Sequence, residues 1–169
     1  METVQTNFWK SEFGKEYTER NNFSVLEQDE LYQNEYGVTR TAMNQEFLQQ
    51  LSVGTILEVG CNVANQLRCL QTMGYENLYG IEIQHYAVER AKELSKGIQI
   101  IQGSAFDAPF RDNYFDLVFT AGVLIHISPD DIDKAIREIY RMSSKYIWGF
   151  EYYADKYQEI PYRGNSEKM

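Results

Sequence analysis

Short apolar segments alternate with helix-like segments from residue 55 to residue 150, and this alternation constrains the fold more than any other feature of the chain. Residues 55–60, 78–83, 98–101, 114–120 and 146–150 have the length and composition of buried strands. Between them, residues 63–73, residues 86–94 and a segment with Ser128 as its expected N-cap have helical spacing. The pattern predicts an α/β fold, with a mostly parallel sheet covered by helices on both faces.

Helices are also predicted before the first strand. Trp9, Phe13 and Tyr17 recur every fourth residue, which predicts one helix with an aromatic face. In residues 39–51, Met43, Phe47 and Leu51 predict a second amphipathic helix with these side chains inward. In the helix predicted after Ser128, the isoleucines Ile132, Ile136 and Ile139 predict the face that packs against the sheet. We divide the chain into an N-terminal helical lid segment, 1–36, and a Rossmann-like domain, 37–169. The alternative is that the N-terminal helix only packs against the body of the domain.

Charge and composition exclude several classes of function. The 169 residues suit one domain, and the formal net charge of −9 argues against nucleic acid and anionic membrane surfaces as partners. No apolar run reaches the roughly 20 residues that span a bilayer. Cys61 and Cys69 without a secretory pattern indicate reduced thiols, so we expect a cytoplasmic protein. No cluster of residues has the spacing of a metal site.

The turns that follow the strands carry the candidate binding residues, because ligands of parallel sheets bind at the carboxyl ends of the strands. Gly60 permits a tight turn, and Asn62 tolerates a left-handed backbone. Glu82 follows Gly60 by 22 residues, where an acid can hydrogen-bond both hydroxyls of a ribose. Ser104 and Ala105, after the third strand, suit the edge and the face of a base.

The order ExGxN, then GIEI, then GSxFDxPFxDxxFDLVFTxGVLIHIxPD resembles the class I S-adenosylmethionine-dependent methyltransferases. The segments WKSEFGKEYTERN, FDLVFTAGVLIHISPD and EYY…IPYRG resemble, more narrowly, the small methyltransferases associated with pseudaminic acid biosynthesis. The resemblance covers nearly the whole chain. It implies the Rossmann-like class I methyltransferase fold, S-adenosylmethionine as cofactor and S-adenosylhomocysteine as product. It also implies N- or O-methylation of a small molecule, expected to be a sugar or a nucleotide sugar.

The same resemblance assigns the cofactor residues. The turn from Glu58 to Asn65 would hold the amino-acid part, Glu82 the ribose, and Thr120 and Val123 the sulfonium end. The full cofactor-binding set is Glu58, Gly60, Asn62, Asn65, Glu82, Ile83, Ser104, Ala105, Thr120 and Val123.

Two residues are candidate catalytic groups. His126 follows the fourth strand and could accept a proton near neutral pH, although a structural histidine is the alternative. Glu151 follows the fifth strand and could act as a base or bind an amine. Arg20 and Arg163 are the expected contacts to a carboxylate or a phosphate, and the complete substrate set is Tyr17, Arg20, Tyr152, Tyr153 and Arg163.

Two features keep other interpretations open. Ala64 stands where the superfamily has glycine, and nothing after Ile160 predicts the C-terminal β-hairpin of that fold. The first alternative is therefore a cofactor-binding module without turnover, and an exposed fifth strand would favour a homodimer through the sheet edge. The second alternative, a nicotinamide-dependent oxidoreductase, fits less well because GCNVAN lacks the three glycines of that class.

Overall fold

The computed structural model describes residues 2–156, which contain five strands and seven α-helices. Four helices precede the first strand, and from there strands and helices alternate except between the third and fourth strands, which no helix separates. The helices are α1 (Val4–Lys10), α2 (Glu12–Arg20), α3 (Val25–Tyr36), α4 (Arg40–Leu48), α5 (Asn65–Thr72), α6 (His85–Leu94) and α7 (Ile132–Met142). The strands are β1 (Thr55–Val59), β2 (Asn77–Glu82), β3 (Gln99–Gln102), β4 (Phe115–Ala121) and β5 (Ser143–Phe150).

All strand pairs in the sheet are parallel, and the order is β3-β2-β1-β4-β5. The predicted α/β fold is confirmed. Leu57 of β1 pairs with Tyr79 on one side and with Val118 on the other, so the order reverses at β1 and ligands are expected beyond its carboxyl end. Within residues 2–156, β5 pairs only with β4, and a homodimer through this edge stays a prediction. The predicted lack of a C-terminal β-hairpin concerns residues after 156, which lie outside the described part of the chain.

Two apolar layers enclose the sheet, because successive side chains of a strand point to opposite faces. On one face, Ile56 of β1 packs in a cluster with Leu67 and Leu70 of α5. On the other face, Leu57 packs in a cluster with Met142 of α7. Helices therefore cover both faces. None of the helices in residues 2–156 is long and apolar enough to span a bilayer.

The predicted single helix through the N-terminal aromatic residues is wrong. Ser11 ends α1 and also caps α2, where its hydroxyl accepts a hydrogen bond of 3.3 Å from the Phe13 N–H. The aromatic rings nevertheless meet, because the Trp9 ring centroid lies 5.6 Å from that of Phe13 and 5.1 Å from that of Tyr17. The turn at Ser11 folds the two short helices against each other.

The predicted inner face of α4 is also wrong. Phe47 is 56% exposed, whereas Arg40, Asn44 and Leu48 are buried. These three residues also recur every fourth position, so helical spacing alone fits both faces. Arg40 is drawn inward because aromatic rings and the carboxyl group of Glu58 surround it.

The helix predicted after Ser128 begins later than expected. The N–H groups of Asp131 and Ile132 both donate to the Ser128 carbonyl at 2.9 Å, and α7 then begins at Ile132 with Asp131 as N-cap. Ser128 therefore belongs to a preceding turn and is not the cap. Ile139 is buried as expected, but Ile136 is 45% exposed, and Ala135 takes its place in the core.

Candidate functional site

A cavity of about 940 Å³ lies at the carboxyl ends of the strands, beneath α1, α2 and α3. Residues that follow each of the five strands line it, together with side chains from the three helices. Ligand sites commonly have volumes of about 300–1,000 Å³, so this cavity can hold a large cofactor with a small second molecule beside it.

The structure brings nearly all of the predicted cofactor residues to this cavity. They are Glu58, Gly60, Asn62, Asn65, Glu82, Ile83, Ser104, Ala105 and Val123. Thr120 is the exception. Because side chains alternate along β4, Thr120 lies on the same face as Val118, which packs in the α7 cluster, and it is buried below the cavity floor.

The turn after β1 has three left-handed residues, Gly60, Asn62 and Ala64, with φ angles of +76°, +46° and +61°. A Cβ atom on Gly60 would lie 2.6 Å from Cγ2 of Val123, so glycine lets the turn after β4 pack directly on the turn after β1. The Ala64 methyl group packs in the apolar cluster of α5 and does not line the cavity.

Glu82 is buried, and both of its carboxylate oxygens accept backbone hydrogen bonds. Oε2 accepts from the Asn62 N–H at 2.9 Å, and Oε1 accepts from the Gln84 N–H at 2.8 Å. Burial raises the pKa of Glu82, and these N–H groups act in the opposite direction. Each oxygen keeps a second lone pair, so the fixed carboxylate can still accept hydrogen bonds from a ligand.

Glu58 lies on the face of β1 that α4 and α5 cover. It is 3% exposed, and burial raises its pKa well above the ordinary value, while the charge of Arg40 acts against that shift. Its Oε2 atom has no hydrogen-bond partner among the described residues. Arg40 is fully buried, with its guanidinium 5.4 Å from the Tyr32 ring centroid and 4.7 Å from that of Trp148. Nothing in the sequence pattern of α4 singles out Arg40.

The candidate catalytic residues lie beside the turn after β4. His126 belongs to a short 3-10 helix, Leu124–His126, and its ring centroid is 4.6 Å from that of Trp9. Burial lowers the pKa of His126 to about 4, so its imidazole is neutral at pH 7.

Glu151 contacts the backbone of the turn after β4, and its role as a base or as a contact to an amine stays a prediction. Its two carboxylate oxygens accept hydrogen bonds from the N–H groups of Val123 and Leu124, each at 3.1 Å. The carboxylate therefore holds the turn after β4 against the end of β5.

The predicted substrate residues divide into two groups. Tyr17, Tyr152 and Tyr153 line the cavity, with the last two 72% and 88% exposed at its mouth. Arg20 does not line it. The guanidinium of Arg20 is paired with Glu16 at 3.6 Å, one turn earlier on the exposed side of α2. Arg163 lies outside the described residues.

Several lining residues were missed by the sequence analysis. The rings of Tyr32, Tyr36 and Phe150 form a cluster on one wall, with centroids 5.2–5.6 Å apart. The spacing of Tyr32 and Tyr36 on α3 was the available signal. Gln84 fixes the cover of the cavity, because its Nε2 donates to the backbone carbonyls of Trp9 and Ser11 at 3.2 and 3.0 Å.

The sequence profile of the methyltransferase domain family matches residues 57–145. Among curated proteins, 24-methylenesterol C-methyltransferase 2 of Arabidopsis thaliana is 31% identical over 93 residues, which cover 52% of this chain and 25% of that protein. Sterol 24-C-methyltransferase of Pneumocystis carinii is 29% identical over 94 residues, with 52% and 24% covered. The chain thus spans about a quarter of the length of these relatives.

Solved structures show the same fold. The PH0226 protein of Pyrococcus horikoshii OT3 has a TM-score of 0.58 at 22% identity, over 62% of this chain and 51% of that one. A SAM-dependent methyltransferase of Thermotoga maritima has a TM-score of 0.54 at 20% identity, over 83% and 58%. At these identities the likeness concerns the fold.

Proposed function

The chain belongs to the methyltransferase domain family, and we propose that it transfers a methyl group from S-adenosylmethionine to a small acceptor molecule. One observation carries the proposal. The polar residues that follow β1, β2, β3 and β4 meet in one cavity, where the Glu82 carboxylate is held by two backbone N–H groups.

The residues of the cavity fit S-adenosylmethionine. Glu82 is the last residue of β2 and lines the cavity, and its carboxylate can accept hydrogen bonds from the ribose hydroxyls. Two buried oxygens in the turn region, Glu58 Oε2 and Asn62 Oδ1, have no donor among the described residues. A ligand with an amino group and hydroxyl groups would satisfy such acceptors, and buried acceptors are rarely left unsatisfied.

When bound, S-adenosylmethionine supplies a methyl group on a positively charged sulfur: a lone pair of the acceptor atom would form the new bond to the methyl carbon, the carbon–sulfur bond would break with both electrons left on sulfur, and the proton of the acceptor atom would pass to water. The chain's own residues position the acceptor. Glu151 fixes the turn that carries Val123 at the cavity. His126, neutral at pH 7, lies in the cavity wall beside Trp9. A pKa of about 4 makes it a weak base, which suits orientation of the acceptor more than proton removal.

We propose a sugar as the acceptor scaffold. The support is the resemblance of the N- and C-terminal segments, together with the tyrosine rings of Tyr17, Tyr152 and Tyr153 in the cavity wall. The curated relatives are named for sterols. The walls formed by α1–α3 and by residues after β5 lie outside the 57–145 family match, so the family match does not bear on the acceptor.

Calorimetric titration of the purified chain with S-adenosylmethionine, S-adenosylhomocysteine and NAD tests the cofactor. We expect micromolar binding of the first two and no binding of NAD. Glu82→Ala is expected to weaken binding by about 1–3 kcal/mol because buried partners lose a hydrogen bond. Glu46→Ala, on the exposed side of α4, serves as the control. Equal affinity of the two variants would contradict the ribose assignment.

A cofactor-binding module without turnover is the second candidate. Two observations favour it: the Glu151 carboxylate accepts hydrogen bonds from two backbone N–H groups, and the pKa of His126 is too low for a strong base. Transfer of isotopically labelled methyl groups to a panel of sugars distinguishes the two. Tight binding of S-adenosylhomocysteine with no labelled product for any acceptor would favour the module.

A further inference from the structure

The charged side chains that line the cavity are all carboxylates. Among the described residues they are Glu35, Glu58, Glu82 and Glu151, and neither lysine nor arginine joins them. Arg20, expected to bind an anion, is paired with Glu16 elsewhere. Phosphate and carboxylate groups are bound in proteins by arginine, lysine or backbone N–H groups. The lining therefore disfavours an anionic acceptor.

Aromatic rings surround the outer part of the same cavity. Tyr36 is half exposed at the mouth, and its ring centroid is 5.3 Å from that of Phe150 and 5.2 Å from that of Tyr32. Glu35 precedes Tyr36 on α3 and interacts electrostatically with its hydroxyl, as does Tyr152. Rings beside a carboxylate form an environment that attracts organic cations.

The Arg40 guanidinium does not occupy the position at the cavity mouth where a cationic ligand would lie. The guanidinium lies behind the wall, over the rings of Tyr32, Trp148 and Phe150, and it is not part of the cavity lining. Of the three clustered rings, Tyr36 is the one that Arg40 does not contact among the described cation–ring pairs. The Tyr36 ring therefore remains open to a ligand.

The inner part of this wall needs a hydrogen-bond donor. Gln66 is 91% buried, and its Nε2 donates to the Tyr32 hydroxyl at 3.2 Å, which places its amide beside the ring cluster. The Oε1 atom of Gln66 has no partner among residues 2–156. Gln66 also lines the cavity. An unsatisfied acceptor in a carboxylate-rich wall indicates a ligand that donates hydrogen bonds.

We propose that the acceptor carries an amino group that is cationic in solution, and that the cluster of Glu35, Tyr36, Phe150 and Gln66 binds this group. We name this cluster the amine subsite. The inference rests on the proposed methyltransferase function and narrows its acceptor to an amine such as an amino sugar. It disfavours a nucleotide sugar, because its phosphates would find neither lysine nor arginine in the described lining.

Three matched probes test the charge of the acceptor on one scaffold: glucosamine, glucose and glucuronate. Binding is measured by ligand-observed NMR at pH 7, with and without S-adenosylhomocysteine. Tyramine, tyrosol and 4-hydroxyphenylacetate repeat the comparison on a phenyl scaffold. On at least one scaffold, we expect the amine to bind about tenfold more tightly than the anion, with the neutral probe between them.

Two exposed positions allow variants that keep the fold. Glu35→Gln is expected to reduce the preference for the amine to about threefold or less, and Tyr36→Leu is expected to weaken the amine alone. Tyr36→Phe keeps the ring and should bind the amine as the parent chain does. Glu46→Gln is the charge-matched control and should change nothing.

Each other outcome is decisive. An anion that binds as tightly as the amine, a neutral probe equal to the amine, or no binding of any of the six probes would overturn the amine subsite. A preference for the amine on the phenyl scaffold alone would keep the subsite and contradict the sugar scaffold. Failure of S-adenosylhomocysteine to bind would contradict the proposed function, while the probe comparison without it would still judge the subsite.

Discussion

Replacement of Gly60 by alanine tests how the turns after β1 and β4 fit together. Gly60 has a φ of +76°, and an added Cβ would lie 2.6 Å from Cγ2 and 3.1 Å from Cγ1 of Val123. The variant therefore suffers two separate penalties, a left-handed alanine and a collision with a neighbouring side chain. The cavity lining includes both residues, so the collision also disturbs the candidate site.

The size of each penalty can be worked out from the structure. A left-handed residue with a Cβ costs about 1–2 kcal/mol, and an overpacked side chain costs about 1–3 kcal/mol. Gly60→Ala should therefore lower the free energy of unfolding by about 2–5 kcal/mol. Gly74 has a φ of +94° with nothing within 4 Å of an added Cβ, so Gly74→Ala measures the backbone penalty without the collision.

Urea unfolding of four variants separates the backbone penalty from the collision penalty. The variants are Gly60→Ala, Gly74→Ala, Val123→Ala and the Gly60→Ala/Val123→Ala double variant. The Val123→Ala background removes the colliding methyl groups. A coupling energy of about 1–3 kcal/mol is expected between the two positions. A Gly60→Ala cost within about 0.5 kcal/mol of the Gly74→Ala cost, or additive effects of Gly60→Ala and Val123→Ala, would refute the packing of the two turns.

Three further predictions concern side chains in or behind the cavity wall. Burial lowers the pKa of His126 to about 4, so protonation of this side chain is less favourable in the folded state than in the unfolded state. The free energy of unfolding should therefore fall by up to about 3 kcal/mol as the pH drops from 6.5 to 4. A His126→Gln variant, unfolded in urea at each pH, should lack this part of the loss. Glu151→Gln removes one of two acceptors, so hydrogen exchange of the Val123 and Leu124 amides should accelerate by about tenfold, and unchanged exchange would show that the carboxylate does not hold the turn. Arg40→Lys removes the planar guanidinium that packs on three rings, so the free energy of unfolding measured in urea should fall by about 2 kcal/mol. Equal stability of the variant and the parent chain would exclude these ring contacts as a source of stability.

Much of the fold was predictable because its signals are local. The strand and helix alternation between residues 55 and 150, the glycine turn after β1 and the acid at the end of β2 all depend on residues close in sequence. In a parallel sheet the carboxyl ends of neighbouring strands meet at one edge. The residues that follow each strand therefore converge without any knowledge of side-chain packing.

The inner face of α4 and the orientation of Thr120 were not predictable in this way. Helical spacing admits both Phe47 and Leu48 as the buried position, and only the neighbours of α4 decide between them. The face to which Thr120 points depends on the register of β4, which places it on the α7 side. In both cases the deciding contacts come from elements distant in sequence.

Local patterns in the chain were enough to predict the parallel sheet and the edge of that sheet at which a ligand would bind, because periodicity and turn residues act over a few positions. The tertiary structure alone decided the chemistry of the cavity walls. Glu151 became a clamp on the Val123 turn because β5 lies beside β4. Tyr36 and Phe150, far apart in the chain, became one wall because α3 packs over the end of β5. Such long-range packing sets the charge and shape of the cavity walls, and no local pattern encodes it.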